Sequence, residues 1–539
     1  MKPTVDYSLY LVTDSTDAIL GVTVVQYRDK TSDTGDLIRT AHKLHQVCKR
    51  HGIPLIINDR VDVALAVDCE GVHIGQDDMD LPTARRLLGP DKIIGVTVCS
   101  IEEARVAVEQ GADNLGIGTL YSTATKKNTK SIIGINGIRK ILHWLSRQND
   151  RKYRDINTVC IGGINASNVQ RVLYQLHAPS SEQYTKTVDG IAIVSAIMAA
   201  EQPDVAAKHF KQLLTMPSPW KAKSHTISID AWNRQKEEEK LHDLKEQIPK
   251  IVGSVYEKKP LSHNMTNLVV QNFAANVALA IGASPIMSNN GAEAPDLAKL
   301  NGGLVINMGT ATPEILRNHC LAIAAYNAAG NPIVLDPVGA GATSARREAL
   351  ATLMAAGYFD LIKGNEREIL AVAAASGLLV NLDDKTQQRG VDSGDSLLTN
   401  EQKTHLVSRI AARERNTVLM TGKDDFISDG HRTFMISNGH QYLGMITGSG
   451  CVLGTTLAAY MAAAPEDKLV AAVVGILHFE LAAQRACEIG KVDGPGTFVP
   501  AFIDALSFMA INKGRDIVQG LKVRVLGGGE GDGGFVREM

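Results

Sequence analysis

Short apolar runs recur along the N-terminal part of the chain, and each ends in a polar or glycine group. The runs are Tyr7–Thr13, Val22–Tyr27, Pro54–Asn58, Gly71–Ile74, Ile93–Thr97, Leu115–Gly118, Thr158–Ile161 and Gly190–Val194. Several are unbroken, as strands buried on both faces are. Segments of helical character, such as Asp36–Arg50 and Ile101–Gln110, lie between most of them. Eight strands alternating with helices predict an α/β fold, a TIM-type (β/α)8 barrel. One spacing breaks the pattern. Only Thr16 to Leu20 and a few flanking residues separate the first two runs, whereas a parallel crossover takes roughly a dozen residues. Either the first helix is missing or Tyr7–Thr13 is not the first barrel strand. A missing helix would leave strand surface uncovered, at about 25 cal/mol per Å² of apolar area.

Residues 1–215 form this first domain. Residues 216–240 read as a linker, with Pro217, Pro219 and the charged run Lys236–Lys240. A second α/β domain is expected over 241–525. Its strand candidates include Gly303–Asn307, Pro332–Asp336, Asp360–Lys363 and Thr417–Thr421, with Ala-rich helices between them. Within it, Leu378–Gln402 reads as a polar surface loop. The glycine-rich tail, 526–539, reads as disordered.

Length agrees with two domains, because 539 residues exceed what a single core accommodates. A formal net charge of -2 argues against a nucleic-acid binder, which would carry a basic surplus. The seven cysteines form no CxxC pair, which favours a reducing compartment and a cytoplasmic enzyme. The N-terminus lacks the long apolar run of a signal peptide. The apolar stretch Leu469–Leu477 soon meets His478 and Glu480, so no membrane span is expected.

In a barrel the polar strand ends converge on one rim, where active sites lie. Arg28, Lys30 and Lys126 are cations suited to a diphosphate. Asp59 and Asp78 are hard oxygen ligands suited to Mg²⁺. Gly162-Gly163 and Ser195 follow the last two strands, where barrels often bind a phosphate. Singly, each of these strings is more often a turn or a solvated pair. Their joint order along one rim carries the reading.

Five strings, Gln26-Tyr27-Arg28-Asp29-Lys30, Asn58-Asp59-Arg60, His73–Asp78, Thr123–Lys127 and Gly162-Gly163-Ile164, resemble the thiamine-phosphate synthase family in order and spacing. The resemblance implies that a pyrimidinylmethyl diphosphate ionises and that the nitrogen of a thiazole phosphate captures the cation. It implies that Gln26, Arg28, Lys30, Asn58, Gln76, Thr97 and Lys126 hold the diphosphate substrate. Asp59 and Asp78 would hold the metal, and Thr123, Thr125, Gly163, Val194 and Ser195 the thiazole phosphate. The family usually has Ser where this chain has Thr97, which keeps the hydroxyl.

In the second domain, Thr447-Gly448-Ser449-Gly450-Cys451 precedes the helix candidate Val452–Ala464. Glycines at a helix start let backbone N–H groups approach a phosphate. Asp336 and Glu368 suit Mg²⁺ and its waters, Lys363 suits an ATP phosphate, and Thr421-Gly422 ends a fourth strand. This is a phosphoryl-transfer layout without a Walker loop. With His263–Asn267 and Ser284–Ser288, these motifs resemble the hydroxyethylthiazole kinase family, which has a ribokinase-like fold. The resemblance implies that Asn264 or a neighbour, Met287 and Gly450 line the thiazole pocket. It implies ATP contacts at Lys363, Thr421 and Gly448, and a base at Cys451. A helix N-terminus can lower a thiol pKa, which would favour that base.

The whole chain resembles the fused bifunctional enzymes of fungi, in which the kinase makes the synthase's second substrate. That resemblance implies ATP as co-substrate, Mg²⁺ at both sites and a homo-oligomer, a trimer or a hexamer. The short first crossover keeps a second reading open, an active kinase fused to an inactive or regulatory barrel. A kinase for another small alcohol is a third; the His263–Asn267 and Cys451 motifs speak against it.

Overall fold

The computed structural model describes residues 2–13, 21–121, 132–176, 186–216, 229–380, 397–489, 491–527 and 536–538. They fall into two compact units, Met1–Pro219 and Trp220–Met539.

The first unit is a closed barrel of eight parallel strands in chain order. These are β1 (Leu9–Thr13), β2 (Val24–Tyr27), β3 (Leu55–Asn58), β4 (Gly71–Ile74), β5 (Ile93–Val98), β6 (Asn114–Ile117), β7 (Asn157–Ile161) and β8 (Gly190–Ile193). The two-residue period of a strand sorts their apolar side chains into two cores. Leu9, Leu11, Val25, Leu55 and Ile57 face the helices. Tyr10, Val12, Val24, Ile56 and Val159 fill the barrel interior.

The first run is indeed the first barrel strand. Tyr10 pairs with Val24 on one side and with Ala192 on the other, which closes the cylinder. The expected bare strand surface is not found: Leu9, Leu11 and Val25 are fully buried. The helix Pro203–Thr215 supplies part of that cover. Its Ala207 and Phe210 join the same apolar core. Gly21, leading into β2, packs against the backbone of Ala207 and Lys208.

The second unit is a nine-stranded sheet in the order β10-β9-β11-β12-β13-β15-β16-β17-β18. Six strands are parallel: β9 (Leu261–Met265), β10 (Ser284–Ile286), β11 (Gly303–Asn307), β12 (Ile333–Asp336), β13 (Leu361–Asn365) and β15 (Thr417–Thr421). Three antiparallel strands extend one edge: β16 (Asp425–Ser428), β17 (Thr433–Ile436) and β18 (Val523–Leu526). Helices cover both faces. Val305, Val334, Leu361 and Leu419 face one helical layer, and Leu304, Ile306, Leu335 and Ile362 the other.

Three boundary expectations need correction. The helices Ile229–Arg234 and Glu237–Lys258 occupy part of the expected linker, and Trp232 is buried in the second unit's core. The ends of the segment read as a surface loop lie in a strand, β14 (Leu378–Val380), and in the helix Asn400–Glu414, while its residues 381–396 lie outside the described residues. The tail also carries structure, because β19 (Val536–Glu538) pairs antiparallel with β14. A buried apolar strand edge recruits a partner that local composition does not announce.

The helix Lys468–Ile489, which contains the apolar stretch Leu469–Leu477, is long and apolar enough to cross a membrane by length and composition alone. It is mostly buried within the unit. Its His478 lies between the Tyr460 hydroxyl and the Leu506 carbonyl, a polar tie within the core.

Candidate active sites

The barrel brings most of the predicted residues to the C-terminal ends of its strands. Gln26 sits near the end of β2, with Arg28 and Lys30 just beyond it. Asn58 and Asp59 follow from β3, Gln76 and Asp78 from β4, and Thr97 from β5. Gly163 follows β7, and Val194 and Ser195 follow β8. Thr123, Thr125 and Lys126 lie outside the described residues.

Local contacts link these groups. The buried Gln26 amide donates to Asn58 Oδ1 at 3.0 Å. Lys30 Nζ pairs with Asp59 at 2.8 Å. Asp78 accepts the Gly75 N–H at 2.7 Å. Burial raises the Asp78 pKa, and a hydrogen bond and charge from neighbouring Asp59 raise it further. The two carboxylates therefore crowd one another, and Lys30 offsets part of that charge. Below the rim, His73 Nε2 lies 2.8 Å from Thr97 Oγ1. Gly95 makes room for this imidazole, since a Cβ there would come within 2.5 Å of His73 Nδ1. Gln76 Nε2 donates to the Thr97 carbonyl at 2.7 Å.

In the second unit, β9, β11, β12, β13 and β15 end at one edge, the usual ligand edge of an open parallel sheet. Asn307 ends β11, Asp336 ends β12, Lys363 lies near the end of β13, and Thr421 ends β15. The helix Ser449–Ala463 starts with Gly448 as its N-cap. Gly448 has φ +87°, and a Cβ there would meet Val270 Cγ1 at 2.2 Å. Only glycine allows this close entry. Further along the helix, Gly454 faces the aliphatic stem of Lys363.

The electrostatics of this cluster differ from the sequence reading. Lys363 is tied to Asp336 at 2.9 Å, with both side chains at most 3% exposed, so it does not stand free for a phosphate. Burial alone would lower its pKa, but Asp336, Cys451 and Glu368 more than reverse that. Glu368 accepts the Gly339 N–H at 2.7 Å and the Asn365 N–H at 2.8 Å. The second of these bonds belongs to the capping box of the helix Glu366–Ala375. Burial, then Asp336, pushes the Glu368 carboxyl up to about 7.

Cys451 also departs from expectation. Burial and then Asp336 push its thiol up to about 11, against the lowering by Lys363, Asn307 and Asn267. It is a neutral thiol at ordinary pH, because burial raises its pKa. Asn264, expected at the pocket, is fully buried. Its amide is held by Ser262 and Thr455 inside the sheet. The neighbouring Asn267 lies beside the thiol, with Nδ2 3.6 Å from Cys451 Sγ. Met287 and Cys451 are both partly buried against the core that contains Val270. Gly450 lies in the first turn of the Ser449–Ala463 helix.

The sequence reading missed Asn307, although it ends its strand just as Asp336 does. It also left His263 without a role. That buried imidazole, kept neutral mainly by desolvation, spans Tyr326 Oη and the Ser288 carbonyl and so fixes the segment after β10. Among the described residues, no group of three or more His, Cys, Asp and Glu side chains could hold a metal ion unaided.

Fold and site together define a two-unit transferase: a barrel with a phosphate-handling rim, and an α/β unit with a kinase layout. The family description thiamine monophosphate synthase matches residues 8–197, and the hydroxyethylthiazole kinase family matches residues 252–512. The chain is 41% identical to a probable thiamine biosynthetic bifunctional enzyme of Schizosaccharomyces pombe, over 94% of this chain and 95% of that protein. It is 37% identical to the thiamine biosynthetic bifunctional enzyme of Saccharomyces cerevisiae, over 94% and 96%. A hydroxyethylthiazole kinase of Moorella thermoacetica is 37% identical over 52% of this chain and 98% of its own length. The chain belongs to the thiamine biosynthetic bifunctional enzymes. It combines thiamine-phosphate synthase and hydroxyethylthiazole kinase activities, with ATP as the kinase co-substrate.

Proposed function

We propose that the two activities run in sequence at the two strand-end clusters, and that the residues gathered there carry them. One observation supports this most directly. Each cluster joins two carboxylates to a lysine: Asp59 and Asp78 with Lys30, and Asp336 and Glu368 with Lys363. Raised carboxyl pKa values in both clusters fit an added divalent cation, and Mg²⁺ needs only one or two carboxylates beside substrate phosphates. Bound by these pairs, Mg²⁺ would neutralise phosphate charge at each site.

In the second unit, hydroxyethylthiazole lies against Met287, Gly450 and Cys451, beside Asn267. Its hydroxyl oxygen attacks the γ-phosphate of ATP, the bond from that phosphorus to the β-phosphate oxygen breaks, and ADP leaves. The backbone at Gly448 balances the transferred charge, Lys363 holds Asp336 in place, and Thr421 contacts the nucleotide. Cys451 orients the alcohol as a neutral thiol. The hydroxyl proton passes to a phosphate oxygen or to water as the O–P bond forms rather than ahead of it.

In the barrel, Gln26, Arg28, Lys30, Asn58, Gln76, Thr97 and Lys126 hold the pyrimidinylmethyl diphosphate. Its C–O bond breaks, diphosphate leaves, and the thiazole nitrogen forms the new C–N bond. Thr123, Thr125, Gly163, Val194 and Ser195 hold the thiazole phosphate in line for that capture.

Reciprocal variants test the assignment. Asp59→Ala is expected to abolish thiamine phosphate formation and spare thiazole phosphorylation. Asp336→Ala is expected to do the reverse. Loss of both activities in either variant contradicts two separate sites.

The reading extends to a cytoplasmic homo-oligomer, a trimer or a hexamer. All seven cysteines are free thiols, as a reducing compartment keeps them. Leu268 and Val269, next to Asn267, are each 74% exposed, an apolar pair suited to burial by another copy. Sedimentation velocity reads the mass directly, and a monomer at micromolar concentration would refute this extension.

A further inference from the structure

The polar groups beneath the kinase site converge on a residue that the reaction scheme does not use. Asn307 ends β11 and is only 2% exposed. Its Nδ2 donates to Asp336 Oδ2 at 2.9 Å. Its Oδ1 accepts from Asn267 Nδ2 at 3.1 Å and from the Gly309 N–H at 2.9 Å. The same side chain lies close enough to the Cys451 thiol to lower its pKa. Asn267 in turn reaches Cys451 Sγ at 3.6 Å, and its own Oδ1 accepts the Val269 N–H. Asp336 continues the chain to Lys363 at 2.9 Å.

We infer that Asn307 is a positioning residue for phosphoryl transfer, locking Cys451 and Asp336 into one geometry through a single amide. The polarity of the network leaves it one orientation. Asp336 accepts only, so the Asn307 nitrogen must face it. The Asn307 oxygen must then face Asn267, which sends the Asn267 N–H toward the sulfur. Cys451 therefore receives its hydrogen bonds from the protein. Its own S–H is left to meet the substrate side. A residue with no amide at this place breaks the link between the groups expected at the alcohol and at the phosphate. This inference rests on placing the kinase reaction at Cys451 and Asp336.

The test uses the full chain with hydroxyethylthiazole and ATP. Asn307→Ala deletes the amide. Asn307→Asp keeps its size and its acceptor half but removes the donor. Both are expected to lower the kinase kcat about 10- to 100-fold, the effect of losing a hydrogen bond to a charged buried group. The KM for hydroxyethylthiazole should change less than about threefold, because the pocket wall is intact. Combining Asn307→Ala with Cys451→Ser should give less than the product of the two single losses, since both act on one geometry. Wild-type kcat in Asn307→Asp overturns the inference, whether or not the alanine variant folds. So does a pure KM effect, or strict multiplicativity with Cys451→Ser. If Cys451→Ser and Asp336→Ala themselves leave the kinase unchanged, the placement of the reaction fails instead.

Discussion

Phe210 offers the sharpest test of how this barrel stays closed with so short a connection between its first two strands. It lies on the last barrel helix, Pro203–Thr215, and is 1% exposed, in the same core as Leu9, Leu11 and Val25. A buried Phe removes roughly 150–250 Å² from water. At about 25 cal/mol per Å², that amounts to roughly 4–6 kcal/mol. Measured Phe→Ala losses in cores run about 3–5 kcal/mol. A unit of this size shifts its melting temperature by about 2–4 °C per kcal/mol, so Phe210→Ala should lower it by roughly 6–20 °C. The assay is residual synthase activity after heating, with residual kinase activity of the same chain as an internal reference. Synthase should be lost at a lower temperature than in the wild type, and kinase should not. An unchanged synthase inactivation profile would refute the role given to this helix.

Two further outcomes follow from the kinase cluster. Lys363→Met strands the buried Asp336 without its partner and should destabilise the second unit by about 3–5 kcal/mol, read by hydrogen exchange of β12 and β13. Native-like protection of both strands would contradict the buried pair. Cys451 should alkylate slowly with iodoacetamide, because attack requires the thiolate and burial pushes the thiol up to about 11 from the usual 9. Its rate should keep rising with pH toward 11. At pH 8 it should be about a hundredfold below that of a thiol of pKa 9 with equal access. Peptide mass spectrometry follows the site, and a plateau near pH 9 would rule out the raised value.

The sequence revealed most about segments whose environment is set by local pattern. Unbroken apolar runs such as Leu55–Ile57 can be little else but strands buried on both faces, and their polar ends marked the barrel rim at Gln26, Asn58, Asp59 and Asp78. Long-range compensation was hidden. Ala207, far away in the chain, packs at Gly21 just before β2, and with Phe210 it joins the core that holds Leu9, Leu11 and Val25, so the short first connection looked more costly than the fold shows. The pairing of β14 with β19 was hidden for the same reason, since its two strands are separated by about half of the second unit. The site residues misjudged by sequence are those whose behaviour depends on burial. Asn264 and Asn267 belong to one motif, but the strand turns the first into the sheet and leaves the second beside the thiol. Cys451 sits at a helix start, which favours a thiolate, but its burial, which raises the thiol pKa, shows only in the fold. Lys363 carries the charge expected of a phosphate contact, but only the fold reveals its tie to Asp336.

The most direct test of the whole account is one coupled assay on the purified chain. It supplies hydroxyethylthiazole, ATP, Mg²⁺ and pyrimidinylmethyl diphosphate, and follows thiazole phosphate and thiamine phosphate together. The account predicts that thiazole phosphate appears first and is then consumed as thiamine phosphate forms. Thiazole phosphate that accumulates alone, with none converted even when added in excess, would contradict a working synthase rim in this barrel.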